Sequence, residues 1–275
     1  MKKETHAFKL PRAGWKGQPT TRDCYNLDLG YLENYLNKRR ISLPDMTEQN
    51  WIDYVEYRKH GPRGSFYYSA QNRSLSASIR YLRYLGIEDH PLFEVEKPTG
   101  ARKPQRTLKL SQFHVLLGIV AGGRNPERDV ALIRLMWDTG ARCFELANAL
   151  WEHVDLEERT VDLETKAARK KPRSWESKRF SPATSEALRE WRGIYDTRVV
   201  FGLTRDGIYS FFKRLSKKAG FRVSPHDLRR GLVAHMKEKH IADSLGMQQT
   251  GIRTHSIYDQ YGKAARLQAL DGKLW

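Results

Sequence analysis

The stretch Arg128-Asp129-Val130-Ala131-Leu132-Ile133-Arg134-Leu135-Met136-Trp137-Asp138-Thr139-Gly140-Ala141-Arg142 decides the fold. From Val130 to Trp137 it is apolar almost all round, and a helix without a polar face belongs inside a core. The helix stops at Thr139-Gly140. Arg142 therefore follows directly on a buried element. Working outward, Leu110 to Val120 has helical periodicity, and Arg159 to Thr165 alternates like a strand. Trp175 to Ser181 is its expected partner. The basic stretch Lys166 to Ser174, with Pro172, reads as a projecting turn. Helices are expected to resume near Thr184, Thr204, Pro225, Ile241 and Thr250.

Upstream lies Glu96-Lys97-Pro98-Thr99-Gly100-Ala101-Arg102-Lys103-Pro104-Gln105-Arg106. Two prolines and a glycine disfavour a helix there, and the basic residues suit a linker along a DNA backbone. Residues 1–97 read as a small helical domain. Tyr25, Leu29, Leu32 and Leu36 mark one helix, capped by Thr20 or Thr21, with Gly30 as a weak point. Thr47 opens a second, with Trp51, Ile52, Tyr54 and Val55 as its apolar residues. A third runs from about Tyr67 to Tyr84 and stops at Gly86. The expected organisation is a helical domain over 1–97, a basic linker over 98–107, and a mixed domain over 108–275 with a C-terminal tail. The fold class is mainly α with a small β-hairpin or sheet.

The 275 residues carry 49 Lys plus Arg against 32 Asp plus Glu, a net charge of +17. Such an excess points to a polyanionic partner, most often nucleic acid. Residues 1–100 hold 16 basic and 12 acidic side chains, whereas 101–275 hold 33 and 20. The second part should therefore carry more of the phosphate-contacting surface. Cys24 and Cys143 cannot build a disulfide framework or a multi-Cys zinc site. Met1 to Trp15 lacks an apolar signal core, and no apolar run is long enough to span a bilayer. A secreted, disulfide-stapled or transmembrane protein is disfavoured. The expected location is the cytoplasm, on DNA, and no metal or cofactor is expected.

Five residues form a chemical kit: Arg142, Lys166, His226, Arg229 and Tyr258. Two guanidiniums can clamp the oxygens of one phosphate and stabilise charge at a pentacoordinate phosphorus. A tyrosine hydroxyl can attack it, a lysine in a mobile turn can protonate the leaving alkoxide, and a histidine can hold or move a proton. Together they suffice for metal-free transesterification at a DNA phosphate.

Thr139-Gly140-Ala141-Arg142-Cys143-Phe144-Glu145-Leu146 resembles the first-arginine motif of the tyrosine recombinases, the phage-integrase and Xer-type family. Ser224-Pro225-His226-Asp227-Leu228-Arg229-Arg230 resembles its His-x-x-Arg motif. Lys166, in Glu164-Thr165-Lys166, stands where that family has its hairpin lysine. Leu245-Gly246 and Thr254-His255-Ser256-Ile257-Tyr258 resemble the segment that ends in the nucleophile. The order and approximate spacing match over the whole chain.

The resemblance implies a helical, SAM-like core-binding domain and a catalytic domain that close on DNA as a C-shaped clamp. It implies attack by Tyr258, a 3′-phosphotyrosyl link and a released 5′-hydroxyl, with neither ATP nor a metal. Arg142 and Arg229 would bind the scissile phosphate, Lys166 would act as general acid and His226 would assist. Glu145 would support the arginine region. Four protomers would act on two duplexes, and the tail from Gly262 to Trp275 would dock either on a neighbouring protomer or on its own domain. The family has His or Trp after its Leu-Gly pair. Here Met247 stands there, with His255 or His240 as candidate replacements, and the interval to Tyr258 is about two residues longer than usual. Tyr261 follows Tyr258 by three; Tyr258 is favoured because Thr254 precedes it by four. Candidate DNA contacts are Arg73, Arg80, Arg102, Lys103, Arg106, Lys170 and Lys171. The leading reading is an active site-specific integrase. The alternatives are a DNA-binding member of the same fold without turnover, a metal-dependent nuclease, and a relaxing enzyme of the type IB topoisomerase kind.

Overall fold

Helix-forming periodicity in residues 1–100 yields three helices in a computed structural model that describes residues 8–13, 19–61, 66–99, 106–165 and 174–262. The chain divides into two compact units between Arg102 and Lys103. In the first, α1 (Pro19–Arg39), α2 (Glu48–Lys59) and α3 (Tyr68–Tyr84) surround a core of Leu29, Leu32, Leu36, Trp51, Tyr54, Leu75 and Leu82. The start of α1 at Pro19 precedes both expected caps. Gly30 does not break it, because the full burial of Leu29, Leu32 and Leu36 outweighs a propensity loss of about 1 kcal/mol. Thr47 and Asn50 form a reciprocal capping box at α2. That helix buries Trp51 and Tyr54 but leaves Ile52 exposed. Gly86, with φ of +80°, follows α3 in the left-handed region that glycine tolerates. The short turn Pro91–Phe93 closes the unit by burying Leu92. A cleft of about 690 Å³ within this unit sets Ile79, Phe93 and Val95 beside Arg80, Arg83 and Lys97.

The second unit is built round the helix expected to be buried. α5 (Pro126–Thr139) buries Ala131, Leu132, Ile133, Leu135, Met136 and Trp137. It packs against α4 (Leu110–Ala121), α7 (Pro182–Ile194) and α9 (Pro225–Glu238). Between α5 and α7 come the single-turn α6 (Cys143–Ala147) and a sheet of order β1-β2-β3. The strands are β1 (Val154–Asp155), β2 (Thr160–Glu164) and β3 (Trp175–Arg179), all antiparallel, with Thr160 opposite Arg179 and Glu164 opposite Trp175. The expected hairpin is thus present. Its neck is closed by Thr165 N–H donating to the Ser174 carbonyl at 3.1 Å and by a 2.7 Å contact between the two hydroxyls. α8 (Arg205–Ala219), α10 (Asp243–Thr250) and α11 (residues 255–262) complete the unit. Helices were expected near Ile241 and Thr250, and α10 and α11 lie there, separated by Gly251, whose φ of +64° is a left-handed stop. Among the described residues no helix is long and apolar enough to cross a membrane.

Candidate active site

Arg142 stands at the N-cap of α6, held by its own helix. Glu145, three residues on, accepts from the Arg142 backbone N–H at 2.8 Å and from its guanidinium at 2.6 Å. The Glu145 side chain is fully buried while that of Arg142 is one-third exposed. The carboxylate therefore caps the helix and aims the guanidinium outward with one gesture. Glu145 thus touches Arg142 directly.

His226 and Arg229 are fixed by the start of α9. Ser224 is the N-cap and Pro225 the first helical residue. The Asp227 carboxylate accepts from the Ser224 N–H at 2.8 Å and from its hydroxyl at 2.7 Å. The i, i+3 spacing puts His226 and Arg229 on one side of α9. Arg229 is buried and donates to the carbonyl of Gly140, two residues before Arg142. Gly140 permits this approach: its φ is +58°, and an added Cβ would lie 3.2 Å from both Leu232 and Thr250.

The electrostatics follow from this crowding. Burial, then the positive charge of Arg142, lowers the Arg229 pKa to about 10; Glu145, Tyr261 and Glu176 offset part of that. Partial desolvation, then Arg230, Arg229 and Arg142, lowers that of His226, which favours a neutral ring able to accept a proton. Lys178 on β3 was not anticipated. It is fully buried, donates to the Gln249 carbonyl at 3.2 Å and lies 3.7 Å from Glu176. Burial lowers its pKa to about 8; Glu145 opposes the shift, while Arg229 adds to it. Its signal was the alternation of β3, which sends Glu176 and Lys178 to one face.

Two hollows meet at Arg142. One, of about 210 Å³, is lined by Arg142, Phe144, Arg205, Tyr209 and His226. The other, of about 350 Å³, is lined by Arg142, Thr165, Glu176, Ile252, Thr254 and Tyr261 among others. Lys166 follows directly on Thr165, but Lys166, Lys170, Lys171, Arg102 and Lys103 lie outside the described residues, as does the tail beyond Gly262. Arg106 donates to the Arg222 carbonyl at 2.8 Å, and Arg73 makes a two-pronged pair with Asp28 at 2.6 and 3.1 Å. Arg80 lines the cleft of the first unit.

The segment expected to supply the sixth position and the nucleophile runs from α10 into α11. Leu245-Gly246 lies inside α10, with Leu245 exposed. Met247 packs with Val233, Ile252 and Tyr258, and does not line the Arg142 hollows. His255 is exposed and does not line them either. Gly251, Ile252, Arg253 and Thr254 form that wall instead. Tyr258 is fully buried, its hydroxyl 4.0 Å from the Met236 sulfur and packed where a Gly246 side chain would be. Burial, with Asp243 and Asp259 nearby, pushes its pKa up to about 12. Gly246 makes room for the Tyr258 ring, whereas Gly251 ends α10.

Comparison with known proteins agrees with this architecture. Residues 106–266 match the family described as the phage integrase family. The tyrosine recombinase XerD of Shewanella oneidensis is 26% identical over 270 residues, spanning 91% of this chain and 88% of that protein. Among solved structures, XerH bound to a palindromic difH substrate in a post-cleavage complex has a TM-score of 0.74 at 16% identity, covering 92% of this chain and 79% of that one. A lambda integrase dimer bound to a COC′ core site has a TM-score of 0.69 at 14% identity, covering 91% and 90%. These last two share the fold. With the family match spanning more than half its length, this chain belongs to the phage integrase family.

Proposed function

We propose that this chain is a site-specific DNA recombinase that cleaves and rejoins strands through a 3′-phosphotyrosyl intermediate. One observation carries the reading: Arg142 and Arg229, 87 positions apart in sequence, are tied together through Gly140 at a surface hollow beside His226. Two guanidiniums set side by side are mutually repulsive and are favoured by an anion between them. A phosphodiester supplies that anion, and its charge grows as a nucleophile adds to phosphorus. A tyrosine of α11 attacks, and the bond energy is kept in the phosphotyrosyl link. His226, neutral, accepts or relays a proton. Lys166, next to the pocket-lining Thr165, serves as general acid toward the 5′ oxygen, with Lys178 holding charge beneath the arginine pair. Arg253 and Thr254 bring donors to the wall where Met247 would have brought none.

Double-stranded DNA is the partner, with the helical first unit as a core-binding domain and four protomers acting on two recombination sites. The tail from Gly262 docks on a neighbouring protomer. The protein works in the cytoplasm on DNA. The test is recombination between two copies of the DNA junctions flanking its own gene, assayed in EDTA. Joined products lost in Arg142→Ala and Arg229→Ala support the reading. Relaxed circles without joined products favour a relaxing enzyme. Binding without any strand exchange favours a non-catalytic DNA-binding member of the fold.

A further inference from the structure

We propose that Glu176 is a built-in stand-in for the DNA phosphate: its carboxylate neutralises the Arg142 hollow while the protein is free, and it yields a cation when a phosphodiester docks. This rests on the reading of that hollow as the phosphate site and adds a residue that sets how tightly it is filled. An acid in the wall of an anion site repels the ligand. Only a compensating gain in the free protein favours it there.

Alternation along β3 sends Glu176 and Lys178 to the same face, and the Glu176 carboxylate comes to rest against the stop of α10. A Cβ at Gly251 would overlap its Oε2, so the glycine that ends α10 also leaves a seat for the acid. From that seat one oxygen lies 3.7 Å from Lys178 Nζ and the other 3.9 Å from the Arg253 guanidinium. The carboxylate also favours the charged form of Arg229. Glu145, the other acid near these cations, is already taken up by Arg142.

Glu176 is held by charge and not by hydrogen bonds. Both distances exceed those of a charge-assisted hydrogen bond, about 2.7–2.9 Å. Its Oε2 is buried without a hydrogen-bond partner among the described residues. Such a carboxylate offsets the repulsion among Lys178, Arg229 and Arg253 without locking any of them. Arg253 is the member placed to change partner, because its side chain is 67% exposed while that of Lys178 is fully buried. A phosphate oxygen that accepts short hydrogen bonds from Arg142 and Arg253 displaces the looser pairing. One charge thus acts in opposite directions on two equilibria: it stabilises the free fold and weakens the binding of a phosphate at the hollow.

The test uses the full chain with Glu176→Gln, which keeps the shape and removes the charge. Its melting temperature should fall in sodium chloride and be regained in inorganic phosphate at the same ionic strength, whereas the unaltered protein should differ little between the two salts. Its affinity for a fluorescein-labelled duplex of unrelated sequence, read by anisotropy at fixed salt, should rise about 10-fold. With Arg253→Ala added to both proteins, the gain should shrink to less than about threefold. Glu190→Gln, which removes an exposed carboxylate of α7 and so controls for net charge, should change affinity by less than about twofold. Unchanged or weaker binding in Glu176→Gln overturns the proposal, as does an equal gain in Glu190→Gln or a full gain without Arg253. A Glu176→Gln protein that stays unfolded in phosphate overturns it too, since an external anion then fails to replace the carboxylate. Strand cleavage by the unaltered protein is scored separately: its absence counts against the recombinase reading, while the anion measurements still decide the role of Glu176.

Discussion

Arg229 donates a hydrogen bond to the carbonyl of Gly140, so one buried contact ties α9 to the turn that leads into Arg142, the other member of the proposed phosphate clamp. Lysine at 229 keeps the charge but loses the planar fork that serves both carbonyl and phosphate. We expect Arg229→Lys to lower strand cleavage by about 100-fold or more, measured as single-turnover product on a suicide duplex. Gly140→Ala forces alanine into φ of +58° beside Leu232 and Thr250. It should destabilise the protein by about 1–2 kcal/mol in denaturant titration, with Arg229 displaced as a result. Unchanged cleavage in Arg229→Lys would sink the clamp.

Glu145 accepts from both the backbone and the guanidinium of Arg142. In Glu145→Gln one acceptor becomes a donor facing a cation. The buried mismatch should destabilise folding by about 1–3 kcal/mol. A clamp out of register should lose cleavage by about 100-fold. DNA affinity, set by many phosphates, should change little. If affinity and cleavage fall in parallel, Glu145 is not a positioning residue.

Lys178 gives a pH signature. Its folded pKa of about 8 lies below its ordinary value of 10.5. Between these values the unfolded chain holds a proton that the folded chain has lost, so stability rises with pH from about 8 to 10.5. The full rise amounts to about 3 kcal/mol at most. Lys178→Met should abolish it and raise stability near pH 7. Denaturant titrations of both proteins from pH 7 to 10 check the sign; Tyr258, whose pKa is raised, acts in the opposite direction above 10.

Gly246 and Tyr258 should be energetically coupled. A methyl group at 246 would overlap the tyrosine hydroxyl, so Gly246→Ala should destabilise by about 1–3 kcal/mol. Tyr258→Phe deletes the atom in closest contact and should recover part of that loss in the double variant. Simple additivity would show that the hydroxyl does not lie there.

Much of this was legible in the sequence. The all-round apolarity of Val130 to Trp137 marked the central helix, the alternation of Arg159 to Thr165 marked the hairpin, and the motifs around Arg142 and Arg229 singled out a pair that the fold unites. What failed to read was the meaning of two glycines. Gly246 and Gly251 lie five residues apart, and a chain offers no local sign of which one ends a helix and which one makes room for a ring packed from elsewhere. Lys178 was hidden for a similar reason: burial of a lysine depends on Glu176, Gln249 and the arginines that surround it, and those come together only in three dimensions.

The sealed seat of Tyr258 also has a mechanical side. A DNA strand held at the hollow walled by Thr254 and Ile257 would pull on α11, a short helix near the end of the described chain. The ring of Tyr258, wedged between α9 and α10, would act as a rivet. Load would pass into the body of the domain through that wedge.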